Sequence, residues 1–150
     1  VDINTSAPVV ARKEIKIQAE AEEVWKIHTD ITGWKHWHPD VSESKLEGEL
    51  SVGSTFTWKS GGTKITSTIR ELDPCRRIVW TGKAGGADTI HVWSIEPNGE
   101  GVVLTTEESL EGLMVGLRKG GLRKKLEVSL EGWLIDLKNE VEMESNGNGS

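Results

Sequence analysis

A chain of 150 residues with 35% hydrophobic residues and 17 glycines is one ordinary globular domain, able to bury about 70% of its unfolded surface; wholesale disorder is excluded. Eighteen cationic side chains against 24 anionic ones leave a formal charge of −6, which argues against a nucleic-acid partner, and the single cysteine, Cys75, excludes an internal disulfide or a multi-cysteine zinc site. No apolar run reaches the length of a membrane span or a signal-peptide core, so the composition predicts a soluble, cytoplasmic protein.

Residues 1–8 and 144–150 are polar and read as flexible tails around one domain, 9–143. Val9 to Ala19 alternates apolar and polar residues as a strand does. Glu20 to Ile31 follows as a short helix with Ala21, Val24, Trp25 and His28 on one face, and Gly33 breaks it. Trp34 to Pro39 is an aromatic turn or a second short helix. Six strand-like stretches come next: 41–46, 55–60, 63–72, 76–83, 88–96 and 102–109. Their separators, Gly61-Gly62, Asp73-Pro74, Gly85-Gly86 and Asn98-Gly99, are short enough to dictate antiparallel hairpins.

The last third changes period. Leu122, Leu126, Leu130, Trp133, Leu134, Leu137 and Val141 share one face of a helix about 30 Å long, and Gly120-Gly121 predicts a kink or loop at its start. The fold class is therefore α+β: a curved antiparallel sheet of about seven strands around a long C-terminal helix, with two short helices after the first strand.

Counting outward from the turns assigns the faces. A two-residue Gly61-Gly62 turn pairs Trp58 with Ile65 and Phe56 with Ser67. The Asp73-Pro74 turn places Ile69 opposite Ile78 and Ser67 opposite Trp80, and the next turn places Trp80 opposite His91 and Ile78 opposite Trp93. A turn from Pro97 to Glu100 places Trp93 opposite Leu104, His91 opposite Thr106 and Thr89 opposite Glu108. All four hairpins put Phe56, Trp58, Ser67, Trp80, His91, Trp93, Thr106 and Glu108 on the face that meets the helix, where Leu126 and Trp133 point. Seven of the eight aromatic residues are Trp, so this interior is rich in indoles. The polar residues among them either satisfy one another or line a hollow that orients a ligand.

The order Val24-Trp25, Thr29-Asp30, Trp34, Trp37 and Pro39, then Gly53 and Phe56, Glu71 and Pro74, Trp80-Thr81-Gly82, Thr106-Glu107-Glu108 and Trp133-Leu134 resembles the START-like (SRPBCC) superfamily, in its polyketide cyclase/dehydrase-like branch. The resemblance implies a helix-grip fold with a cavity between sheet and helix for lipids, sterols, polyketides or other bulky apolar molecules. It implies a hydrophobic small-molecule ligand, and the inward residues expected to meet it are Phe56, Trp58, Ser67, Trp80, His91, Trp93, Thr106, Leu126 and Trp133. No cofactor, nucleic-acid partner or membrane span is expected, and the chain is read as a monomer or weak homodimer.

Two alternatives stay open. One is a polyketide aromatase/cyclase or dehydratase with His91 as acid/base and Glu108 beside it. The other is a co-chaperone-like interaction module, which an exposed apolar patch would favour over a closed cavity. His28, on an apolar helix face, reads as a hydrogen-bonded core residue. His36 and His38 flank Trp37 without a third ligand, so no metal is expected. Cys75 lacks a neighbouring base, and Lys124-Lys125 read as a solvated helix face.

Overall fold

The computed structural model describes the backbone of residues 1–148 and the side chains of residues 1–144. Its seven strands are β1 (Val9–Ile17), β2 (Val41–Leu46), β3 (Thr55–Ser60), β4 (Thr63–Asp73), β5 (Arg77–Ala84), β6 (Ala87–Asn98) and β7 (Gly101–Glu111). They form one antiparallel sheet in the order β1-β7-β6-β5-β4-β3-β2. Helix α1 (Ala21–Thr29) and a 3₁₀ helix (Ile31–His36) connect β1 to β2; α2 (Leu113–Leu117) and the long α3 (Lys119–Asn148) follow β7. The sheet grips α3: this is the helix-grip fold.

The alternation that marked the strands also builds the core. On β5 and β6 the inward residues Ile78, Trp80, His91, Trp93 and Ile95 are buried, and α3 meets them with Trp133, Leu134, Leu137 and Val141. The register read from the turns holds for β3–β4, where Phe56 faces Ser67, and for β5–β6, where Trp80 faces His91.

Two registers differ from expectation. β4 continues to Asp73, which pairs with Arg77, so the turn is Pro74-Cys75-Arg76 and not Asp73-Pro74 alone. The Arg76 amide donates to the Asp73 carbonyl at 3.0 Å, and Cys75 has φ 65°, the left-handed position of a type II turn that usually takes glycine. A bulge between Ile69 and Glu71 then sets Ile69 against Trp80 and Ser67 against Gly82. On β6–β7 the turn shrinks to Gly99-Glu100, which places Trp93 opposite Thr106 and His91 directly opposite Glu108. Both corrections move pairs by two residues. Since strand side chains repeat every two residues, every inward residue stays inward.

The helix break also falls elsewhere. Arg118 caps α2, and Gly120 and Gly121 lie in the first turn of α3. The expected C-terminal tail is helical as far as Asn148, and residues 149–150 lie outside the described residues. Residues 1–8, expected to be a loose tail, lie against the outer face of the sheet. There the Asn4 amide donates to Ser109 Oγ, the Asn4 side chain bonds Glu111, and Arg77 donates to Asp2.

Candidate functional site

The interface between sheet and α3 has two unequal halves. Around the 3₁₀ helix and the middle of α3, the rings of Trp34, Phe56, Trp58, Trp80, Trp93 and Trp133 touch one another, with centroid separations from 5.0 to 6.4 Å. Trp34 is at the centre: its ring meets Phe56, Trp58, Trp80 and Trp133, and its Nε1 donates to the His28 carbonyl at 2.8 Å. Trp58 Nε1 donates to Ser67 Oγ at 3.1 Å. The space expected as a hollow is here occupied by the indoles.

The second half is aliphatic. Val9, Ala11, Val115, Leu126 and Leu130 pack together beneath α2, joined by the partly buried Ala87, Leu110 and Leu122. Leu126 thus sits with these residues and apart from the aromatic cluster, to which Phe56, Trp58, Trp80, Trp93 and Trp133 all belong.

A polar cluster lies on the inner sheet face next to these two halves. His91 stacks on Trp93 at 5.0 Å and meets Trp80 edge-on at 5.1 Å, while its Nε2 shares a 2.7 Å hydrogen bond with Thr106 Oγ1. His91 Nδ1 is 3.3 Å from Glu108 Oε1, without hydrogen-bond alignment. His28 reaches the same indoles from α1, 4.4 Å from Trp93 and 5.8 Å from Trp80. It is there because Val24 and His28, one helical turn apart, form the buried face of α1.

Burial sets the charge state of this cluster. Desolvation lowers the His28 pKa to about 3; desolvation and then the nearby His28 lower that of His91 to about 3. Desolvation also raises the Glu108 carboxyl to about 8, although its side chain keeps 12% exposure. All three groups are neutral at pH 7. Four buried polar atoms have no hydrogen-bond partner among the described residues; three of them, His28 Nε2, His91 Nδ1 and Trp93 Nε1, lie in this cluster, and the fourth is His38 Nε2.

A third buried imidazole is one that the sequence placed only beside His36, flanking Trp37. His38 is buried against Trp133, centroids 4.0 Å apart, and its Nδ1 bonds Asp136 Oδ2 of α3 at 2.8 Å. His36 lies instead in a surface cleft of about 380 Å³ between α1, the 3₁₀ helix and the end of α3, with Trp37, Glu140 and Lys26. The two histidines share no site. Among the described residues, no cluster of three or more His, Cys, Asp or Glu side chains is arranged to hold a metal ion, and no helix is long and apolar enough to cross a membrane.

This architecture, a curved antiparallel sheet gripping a long C-terminal helix, is the START-like helix-grip fold. Residues 8–142 match the family described as polyketide cyclase/dehydrase and lipid transport, and the chain belongs to that family. No curated protein matches the sequence. A hypothetical protein from Helicobacter pylori superposes with TM-score 0.82 at 16% identity, covering 93% of this chain and 91% of that one. A START superfamily protein from Mycobacterium smegmatis gives 0.71 at 17% identity, over 89% and 97% of the chains. The Zhui aromatase/cyclase from Streptomyces gives 0.73 at 18% identity, over 89% and 93%. At these identities the likeness is one of fold.

Proposed function

We propose that the protein binds a neutral, hydrophobic small molecule, aromatic or polycyclic, between the sheet and the N-terminal half of α3. The observation that carries this is the set of unpartnered buried atoms at His28, His91 and Trp93. A buried polar atom without a partner costs roughly 1–3 kcal/mol, and evolved cores seldom retain three together. A carbonyl or hydroxyl group of a ligand would supply the missing partner. The ligand is neutral because the cluster is neutral: a charge placed there would be desolvated without a counter-charge. Its polar group would meet His91, which Thr106 holds in orientation, at the border of the two halves, and its body would extend into the aliphatic half, where Leu126 faces it from α3. Entry is easiest through the aliphatic half, since the rings of the other half are already in mutual contact.

Titration of the tryptophan fluorescence with flavone, anthraquinone, cholesterol and a long-chain fatty alcohol tests the reading. A saturable one-to-one response to a planar member is expected, and His91→Gln and Glu108→Gln should each weaken it by about tenfold, the worth of one buried hydrogen bond. Absence of any saturable response, or equal binding by both variants, refutes the assignment.

One observation favours a second reading, an aromatase/cyclase or dehydratase. A neutral carboxyl beside a neutral imidazole is a proton donor beside a proton acceptor. An imidazole with a pKa near 3 is a weak base at pH 7, which ranks this second. Product formation from a linear poly-ketone, lost in His91→Gln with binding retained, would reverse the ranking.

A further inference from the structure

The net charge of −6 hides a local reversal. From Gly112 to Leu126 there is no Asp or Glu, while Arg118, Lys119, Arg123, Lys124 and Lys125 fall within eight positions. All five are exposed, and among the described residues none forms an ion pair. Immediately before them stand three large apolar side chains of α2 turned to solvent: Leu113 is 83% exposed, Leu117 73% and Met114 51%. Left in water, these side chains add nothing to the stability of the fold, and three together form an exposed apolar patch.

The backbone anchors the patch at its start. Gly112 has φ 131° and sits so close to the Gly85-Gly86 turn that a Cβ would be 2.6 Å from the Gly86 carbonyl, so α2 is tied at its start. Val115 is its only buried residue. A Cβ at Gly116, Gly120 or Gly121 would meet nothing, so these positions also face open space, and the apolar tip and the cations adjoin along the chain.

We infer that this shoulder, α2 with the first two turns of α3, docks on an anionic bilayer surface. Leu113, Met114 and Leu117 would enter the acyl boundary, and the five cations would meet the phosphate head groups. Charge complementarity selects an anionic surface, and the near-complete exposure of the leucines selects lipid over protein. A protein hot spot seats its anchors in a shaped pocket, whereas projecting leucines flanked by lysines and arginines suit a fluid interface. This inference does not depend on the ligand reading above.

Flotation of the full chain with vesicles tests it. Vesicles of phosphatidylcholine alone should bind little, and replacing about 30% of the lipid with phosphatidylglycerol should raise the bound fraction about tenfold at low salt. About 0.3 M NaCl should remove most of that gain, because the pairing is screened. Lys124→Glu with Lys125→Glu should lower binding at least about tenfold. Leu113→Ser with Leu117→Ser should leave a residual, wholly salt-sensitive attachment. All four positions are exposed, and an unchanged melting temperature confirms that the fold survives. Equal binding to both vesicle types, or full binding by either variant, overturns the proposal. So does a dimer that Leu113→Ser with Leu117→Ser dissociates while vesicles stay unbound, since the patch would then cover a second copy.

Discussion

The aromatic and aliphatic halves of the sheet–helix interface are built from the same sheet and the same helix, yet they are closed to different degrees. Trp34, Trp80, Trp93 and Trp133 are at most 1% exposed and each touches several other rings. Beneath α2, Leu126 is 8% exposed, Leu122 is only partly buried, and a five-residue helix held by Val115 is the cover. Indoles bury large areas and fix one another's orientation; small aliphatic side chains under a short helix do neither. The contrast predicts that the aromatic half carries more of the stability and that the aliphatic half opens more readily.

The largest expected effect breaks the closed half. Trp34→Ala removes the ring at the centre of the cluster and should cost about 3–5 kcal/mol, whereas Leu122→Ala at the open end should cost about 1 kcal/mol or less. Urea denaturation measures both, and similar values would erase the distinction.

The next effect concerns the polar cluster. Between pH 3 and 6.5 the unfolded state protonates His28 and His91 while the folded state does not, so stability rises with pH through that window. Between pH 4.5 and 8 the folded state keeps a proton on Glu108 that the unfolded state has lost, so this group lowers stability as pH rises. The two histidines outweigh the one carboxyl up to pH 6.5, and above it only Glu108 acts. The melting temperature should therefore peak near pH 6.5, and Glu108→Gln should flatten the decline between 6.5 and 8. A decline that persists in that variant would move its origin elsewhere.

The smallest effect sharpens the open half. Val115→Ala should lower global stability by only about 1 kcal/mol, because α2 can detach before the domain unfolds. Hydrogen exchange should show amides 113–118 opening faster in the variant, with the amides of β5 and β6 unchanged. Equal acceleration in both regions would make α2 an integral part of the core.

Much of this was legible in the residues. Alternation marked the strands, Gly61-Gly62 and Gly85-Gly86 set their hairpins correctly, and the inner face came out as observed even where pairs moved by two residues. The Ile69–Glu71 bulge and the tight Gly99-Glu100 turn were not legible, because several turn lengths suit the same Pro, Asn and Gly signals. The shorter turn brought His91 directly across from Glu108, a closer pairing than the diagonal one expected. Trp34 stood within the motif that carried the family resemblance, but nothing in its spacing announced that four rings would gather round it. The His38–Asp136 bond joins positions 98 apart, and no local pattern encodes it.

The sequence by itself determined which side chains face the helix, since period 2 in strands and 3.6 in the helix are properties of the backbone. It also determined the family. Only the tertiary structure decided how that interior is filled. Whether facing indoles enclose a hollow or close on one another depends on the distance between sheet and helix, which the long-range packing of α1, the 3₁₀ helix and α3 sets. The same packing dries the cluster, and burial is what keeps His28, His91 and Glu108 neutral.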